Sequence, residues 1–204
     1  MKAFVVKDGI IQNALNRPDR FPSLEHGVLK QVAGIVLHQT NSSTAEATLT
    51  AYRFRPSGTG AHFLIAPDGT IYQTARVDRI CYHVGTLAPR CISEHSCSPH
   101  FLAAIKRIDI SRAPEDDKRL LIHQLEMAKP LPVRFPSNNE AIGIEVTGAP
   151  ENNVYPRPTQ AQDVATVWLV AHLLDMFTLP RSAVFRHGEI SRGKNKTEAR
   201  HVRF

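Results

Sequence analysis

Apolar residues in this chain fall into two kinds of run. Val32 to Gln39, VAGIVLHQ, is short, nearly continuous and rich in β-branched residues, which predicts a buried strand. Side chains alternate along a strand, so Ile35 and Leu37 share one face while Val36 and His38 share the other. Ala141 to Gly148, AIGIEVTG, repeats the form. There Ile142, Ile144 and Val146 share a face opposite Gly143, Glu145 and Thr147. Between these runs, Ala61–Ala66 and Thr70–Thr74 flank Pro67-Asp68-Gly69, and Asp-Gly between apolar runs predicts a hairpin. A smaller hairpin is expected from Phe4–Val6 and Ile10–Ile11 around Asp8-Gly9, and Ala183–Phe185 reads as a last strand edge.

The second kind of run has helical spacing. Ser43 to Arg53 carries Ser43 or Thr44 as a cap and Glu46 in its first turn. Glu115 to Ala128 lies between Pro114 and Pro130, with Leu121, Leu125 and Ala128 as its expected apolar stripe. Thr159 with Gln162 forms a capping box that opens a helix to about Phe177. Its expected core face is Val164, Val167, Trp168, Ala171 and Leu174.

At 204 residues, the expectation is one domain with its own core. Residues 1–30 read as an arm laid over its surface. Residues 87–139, rich in proline and holding the 115–128 helix, read as an insertion. The composition, 42% apolar and 22% charged, is that of an ordinary globular chain. The net charge of +6 favours anionic partners without choosing among them. Cations are scattered and not interleaved with aromatics, so nucleic acid is not expected as a partner.

No stretch approaches the roughly 20 apolar residues of a membrane helix. The first residues are broken by Lys7, Asp8 and Gly9 and do not form a secretory signal, so synthesis in the cytoplasm is expected. The three cysteines, Cys81, Cys91 and Cys97, make an odd set, and free or buried thiols are the expectation. A Cys91–Cys97 pair is the alternative outside a reducing compartment.

Candidate chemistry clusters late in the chain. In AVFRHGEISRGKNKTEARH, His187 follows a strand edge and a polar loop leads to Lys196 and Glu198. Upstream, His38 ends one strand, and Glu145 puts a carboxylate inside another apolar strand, a costly place unless paired or functional. These residue types can supply metal ligands, a cation and a proton acceptor. No HExxH and no CxxC is present. His95, His100 and His123 of the insertion read as surface residues.

The order and wording of these segments resemble the zinc-dependent N-acetylmuramoyl-L-alanine amidases. This is the amidase-2 group, which includes phage lysozyme-type amidases and peptidoglycan recognition proteins. The resemblance is carried by IVLHQT, AHFLIAPDGTIYQ, YHVG, IGIE, RPTQAQ, and a histidine, a loop and Lys196-Thr197-Glu198, in that order. It covers about residues 30–86 and 140–204. It implies an α/β fold with a central mixed β-sheet flanked by helices, here with a helical insertion. It also implies Zn2+ held by His38, His187 and Glu198. The family's third ligand is an aspartate or cysteine followed by Pro-Gly; here Glu198 is followed by Ala199 and Arg200, and His201 is the alternative ligand.

On the same resemblance, Glu145 handles the attacking water and Lys196 is the cation beside the metal. His83 and His62 are expected on the substrate side of the cleft. The implied reaction is hydrolysis of the amide between N-acetylmuramic acid and L-alanine in peptidoglycan or muropeptides. The alternative is a non-catalytic peptidoglycan binder on the same fold. Three settings are open: an endolysin, an effector with an immunity or delivery partner, or a cytoplasmic recycling enzyme. The first two act in the periplasm or on the wall.

Overall fold

The two strongest strand runs lie side by side at the centre of a six-stranded sheet in the computed structural model, which describes residues 5–13, 15–54 and 58–204. In chain order the elements begin with strands β1 (Val5–Lys7), β2 (Ile10–Gln12), β3 (Asn16–Pro18) and β4 (Gly34–Gln39). Helix α1 (Ala45–Phe54) leads to β5 (Phe63–Ile65) and β6 (Ile71–Gln73). Three helices follow: α2 (Arg90–Ser93), α3 (Pro99–Asp109) and α4 (Glu115–Met127). The chain closes with β7 (Ala141–Val146), α5 (Gln160–Met176), β8 (Val184–Arg186) and α6 (His187–Ile190).

The large sheet runs β3-β6-β5-β7-β4-β8, and only the β5–β6 hairpin pairs antiparallel. The expected mixed sheet with flanking helices is therefore present. Parallel neighbours bury both faces, which explains why β4 and β7 read as continuous apolar runs. The faces divide as alternation requires. Ile35, Leu37, Ile142, Ile144 and Val146 enter the main core with α5, while Val36 and Ala141 pack on the other side with Val84, Leu87 and Ile190. The β4–β7 register sets His38 directly beside Glu145.

Four expectations need correction. First, the face of α5 that packs inward is Ala165, Thr166, Leu169, Val170 and Leu173, whereas Val164 and Val167 are exposed. The helix is apolar on more than one side, so spacing alone could not choose the stripe. Second, in α4 the buried residues are Ile122 and Glu126, and Leu121 is exposed. The Glu126 carboxylate accepts from Lys129 at 2.6 Å and from the Arg90 N–H at 3.0 Å, which makes its burial tolerable.

Third, residues 1–30 are not simply a surface arm. β1 and β2 form the expected hairpin, with Phe4 outside the described residues, but β3 adds an edge strand to the main sheet. Pro18 is tolerated there because an edge leaves its missing N–H unneeded. Fourth, Cys91 and Cys97 form a disulfide, with Cα atoms 4.7 Å apart, and Cys81 is a buried free thiol. The turn after α2 returns the chain on itself, with Ser96 N–H donating to Cys91 O at 2.8 Å.

A close approach dictates glycine in the middle of β7. A Cβ on Gly143 would sit 2.8 Å from Cγ of His83. The bare backbone thus provides the seat for that imidazole. Gly143→Ala is expected to displace His83 and cost about 1–3 kcal/mol. Thermal unfolding checks this, and an unchanged Tm would show that the ring has room to move.

Candidate functional site

Each side chain of the site is set by a strand end or by the turn after one. His38 is the fifth residue of β4, and His187 is the first residue beyond β8 on the adjoining edge. Glu198 comes from the following loop. Its position is fixed where Ala199 N–H donates to Gln39 Oε1 at 3.1 Å. Ala199 is held at φ 57, a left-handed conformation costing a non-glycine residue about 1–2 kcal/mol.

The three side chains converge in a buried group whose ligand atoms all lie within 4.8 Å of one another. Glu198 Oε1 stands 2.7 Å from His187 Nδ1 and 3.4 Å from His38 Nδ1. The two rings lie 4.2 Å apart.

Hydrogen bonds on the far side of each ring fix the tautomers. His187 Nε2 faces the Val84 carbonyl at 2.9 Å, and a carbonyl can only accept, so Nε2 carries the proton. The other nitrogen, Nδ1, then presents a lone pair to a carboxylate lone pair. A positive centre must sit between them, either a proton or a metal ion. For His38 the logic passes through a second ring. His83 Nε2–H donates to Ala141 O at 3.3 Å, so His83 Nδ1 accepts from His38 Nε2–H at 3.0 Å. His38 Nδ1 is thereby also left as a lone pair facing Glu198. Two nitrogens and a carboxylate oxygen, oriented from behind, are the donor set of a metal site. His38, His187 and Glu198 can hold a metal ion.

The electrostatics agree with that arrangement. Burial, with His187 alongside, lowers the His38 pKa to about 4. Burial opposes ionisation of Glu198, but a proton in the gaps to His187 and His38, the positive centre those lone pairs call for, outweighs it and holds its pKa at about 2. Burial, His38 and His62 push His83 well below the usual imidazole range. The group is thus an anionic carboxylate faced by neutral rings at His38 and His83.

This group lines a cleft of about 740 Å3. Glu145, half-buried, lines it beside His38, and His83 lines it too. Lys196, the cation expected here, is exposed and absent from the lining; its ammonium donates to Gly188 O at 2.8 Å. Lys194 lines the cleft instead. His62 does not reach the cleft. It is fully buried behind His83, with Nε2–H donating to Arg79 O at 2.8 Å and Nδ1 accepting from Gly143 N–H at 3.0 Å. With both nitrogens used by the backbone, it has nothing left for substrate. His201 lies in a separate recess. His123, expected at the surface, accepts from Leu87 N–H at 3.0 Å.

Sequence reasoning missed several residues. The Asn138 side-chain carbonyl accepts from both His83 N–H and Val84 N–H, at 2.9 and 2.8 Å, and so holds the segment that orients both histidine ligands. Tyr155 OH donates to Asn41 Oδ1 at 2.7 Å in the cleft wall. Burial, with Glu198 and Glu145 nearby, raises its pKa to about 12, so it remains a donor. Tyr82 stacks on His26 at 3.8 Å with planes 3° apart and faces the cleft. A lone Asn or Tyr in a polar loop carries no spacing that could have flagged it.

Known proteins share this architecture. A family model described as N-acetylmuramoyl-L-alanine amidase matches residues 29–200. Among solved structures, a selenomethionine derivative of AmpD is similar over 93% of this chain and 89% of its own, at 15% identity and TM-score 0.54. PlyL is similar over 87% and 83%, at 14% identity and TM-score 0.52. The catalytic domain of XlyA is similar over 88% and 87%, at 18% identity and TM-score 0.51. At such identities the likeness establishes the fold. A search of curated proteins gives no match.

Burial of His62 makes stability depend on pH. Its folded pKa is lowered to about 4 by burial, against an ordinary 6.5. Between those values the unfolded chain takes a proton that the folded chain refuses. This contribution is complete above pH 6.5 and is lost as pH falls towards 4. In chelator, the Tm of the wild type is expected to fall from pH 7 to pH 5, and less steeply in His62→Gln, which cannot titrate. Equal slopes would remove His62 from this account.

Proposed function

The chain belongs to the N-acetylmuramoyl-L-alanine amidase family, and from that premise we propose that its 204 residues act as one Zn2+-dependent amidase domain, with residues 87–139 inserted. The bond cut is the amide joining N-acetylmuramic acid to L-alanine of the stem peptide. One observation carries this reading: His38, His187 and Glu198, far apart in sequence, bring their ligand atoms within 4.8 Å in a cleft that Glu145 also lines.

Bound zinc supplies a Lewis acid and brings the pKa of water from 15.7 towards about 7. The chain's own residues do the rest. The Glu145 carboxylate takes the proton of the attacking water and passes it to the leaving nitrogen. Lys196 is the oxyanion cation on the family correspondence, and Lys194 is the competing assignment because it lines the cleft. Asn41, Asn138 and Asn153 offer donors and acceptors for sugar hydroxyls and peptide groups, and the Tyr82–His26 stack offers a flat face to a sugar ring. Val84 O and His83 hold the two ligand rings in register. The Cys91–Cys97 disulfide supports a place of work outside the reducing cytoplasm, on the wall side.

Metal analysis with purified peptidoglycan tests the reading. His38→Ala, His187→Ala and Glu198→Ala are expected to lose zinc and the release of L-alanine amine termini, while His201→Ala keeps both. Glu145→Gln should keep zinc and lose hydrolysis. Of Lys194→Ala and Lys196→Ala, the variant that loses about 10²–10³ in rate identifies the oxyanion cation. Full zinc with no amine release from the wild type would favour a non-catalytic binder, and full activity in His38→Ala and His187→Ala would end the proposal.

His83 is expected to act through His38 rather than on substrate. His83→Leu, which removes the acceptor, should weaken zinc about 10–100-fold. His83→Asn, which keeps one, should recover part of that loss. Competition against a zinc chelator measures both, and equal affinities would leave His83 as packing.

A further inference from the structure

A second recess of about 750 Å3 lies apart from the metal group, and five arginines surround it: Arg157, Arg181, Arg186, Arg200 and Arg203. They arrive from four separate segments: before α5, after α5, the end of β8, and the chain beyond Glu198. Little acid answers them. Asp163 stands 3.5 Å from Arg203, and Glu189 stands 3.8 Å from Arg186. Among the described residues, neither Arg157 nor Arg200 has an ion pair.

Main-chain oxygens and one ring hold the guanidinium groups in place. Arg186 Nε donates to Ala199 O at 3.1 Å and Nη2 to Val202 O at 3.4 Å, with its guanidinium 4.9 Å from the Phe204 ring centroid. Arg181 donates to the Phe204 main-chain oxygen and lies 5.8 Å from the same ring. Guanidinium groups held this way lose little freedom when an anion arrives.

The recess adjoins the cleft. Tyr155 and Glu198 line the cleft, and two residues further along each segment Arg157 and Arg200 line the basin. We propose that this arginine basin binds a linear polymer of phosphodiester-linked units carried by the cell wall and thereby holds the enzyme against its substrate. The proposal rests on the amidase reading, which supplies the wall as the surface.

Charge complementarity selects the ligand. Planar guanidinium forks match phosphate oxygens in pairs, and several cations around one recess suit a repeating anion. A nucleic acid fits less well, because both guanidinium groups already lie against Phe204 and leave no open ring for a base. A membrane surface fits less well too. Val167 is the exposed apolar residue of the basin's lining, a short side chain where interfacial anchors use Trp, Phe or Leu, and the half-buried Phe204 ring already carries Arg181 and Arg186.

The test is binding of the full-length, zinc-loaded protein to fluorescent poly(glycerol phosphate) at low ionic strength. Arg157→Gln with Arg200→Gln is expected to weaken binding at least about tenfold and to lower the salt slope by about 1.4–1.8. Lys106→Gln with Arg112→Gln removes the same charge from the insertion and should change affinity less than about twofold. Equal losses in both double variants, or none in the first, would overturn the proposal as a net-charge effect. Tighter binding to phosphatidylglycerol vesicles than to the free polymer, lost in the arginine double variant, would replace the polymer with a membrane. Duplex DNA held as tightly as the polymer would also overturn the claim.

Hydrolysis of a short soluble muropeptide is followed alongside, and the arginine double variant should retain it, which also shows that it folds. Hydrolysis without polymer binding in the wild type sinks the basin and leaves the amidase reading standing. Arginine-dependent polymer binding without hydrolysis does the reverse.

Discussion

A buried carboxylate facing two imidazole lone pairs is the constraint around which this protein is arranged. Glu198 is 6% exposed, and an anion so placed is costly unless positive charge meets it. His187 and His38 cannot supply that charge by their neutral tautomers, because Val84 O and His83 take the ring protons on the far side. The cost is met when a cation occupies the space between them. The burial that would otherwise make the group a liability is thus what suits it to hold a metal ion.

The sheet exists in the form needed to keep those lone pairs aimed. Parallel pairing of β8, β4 and β7 brings three strand ends to one edge, with His187, His38 and Glu145 on adjacent strands or just beyond them. Around this edge the support is polar and comes from distant segments. Asn138 holds the His83–Val84 amides, Gln39 ties β4 to Ala199, and Ser191 Oγ reaches Val84 O at 2.7 Å. Helix α4 belongs to this support, since its His123 accepts from Leu87 N–H only three residues beyond Val84. It buttresses the segment of His83 and Val84, which orients the rings of His38 and His187.

Much of this is legible in the sequence, for physical reasons that differ by element. β4 and β7 are readable because strands buried on both faces leave no ambiguity in an apolar run. Thr159 and Gln162 mark the start of α5 because a capping box satisfies specific N–H groups. Its inward face is not readable, since Val164 and Val167 differ from Ala165 and Val170 only in what packs over them. His38, Glu145, His187 and Glu198 are reachable through ordered segments that resemble a family. Lys194 against Lys196, and His62 behind the cleft instead of on it, depend on where a loop turns its side chains, and no spacing records that.

Gly143 carries a lesson for protein engineering. The missing side chain at that position makes a socket shaped for an imidazole, so the candidate metal centre includes a residue that contributes no atom to it. Grafting the three ligands onto another parallel sheet would reproduce the coordinating atoms and leave His38 free to choose the wrong tautomer. A successful transplant has to carry the bare position, the ring seated on it and the carbonyl that ring leans on. The smallest portable version of this site is a patch of sheet.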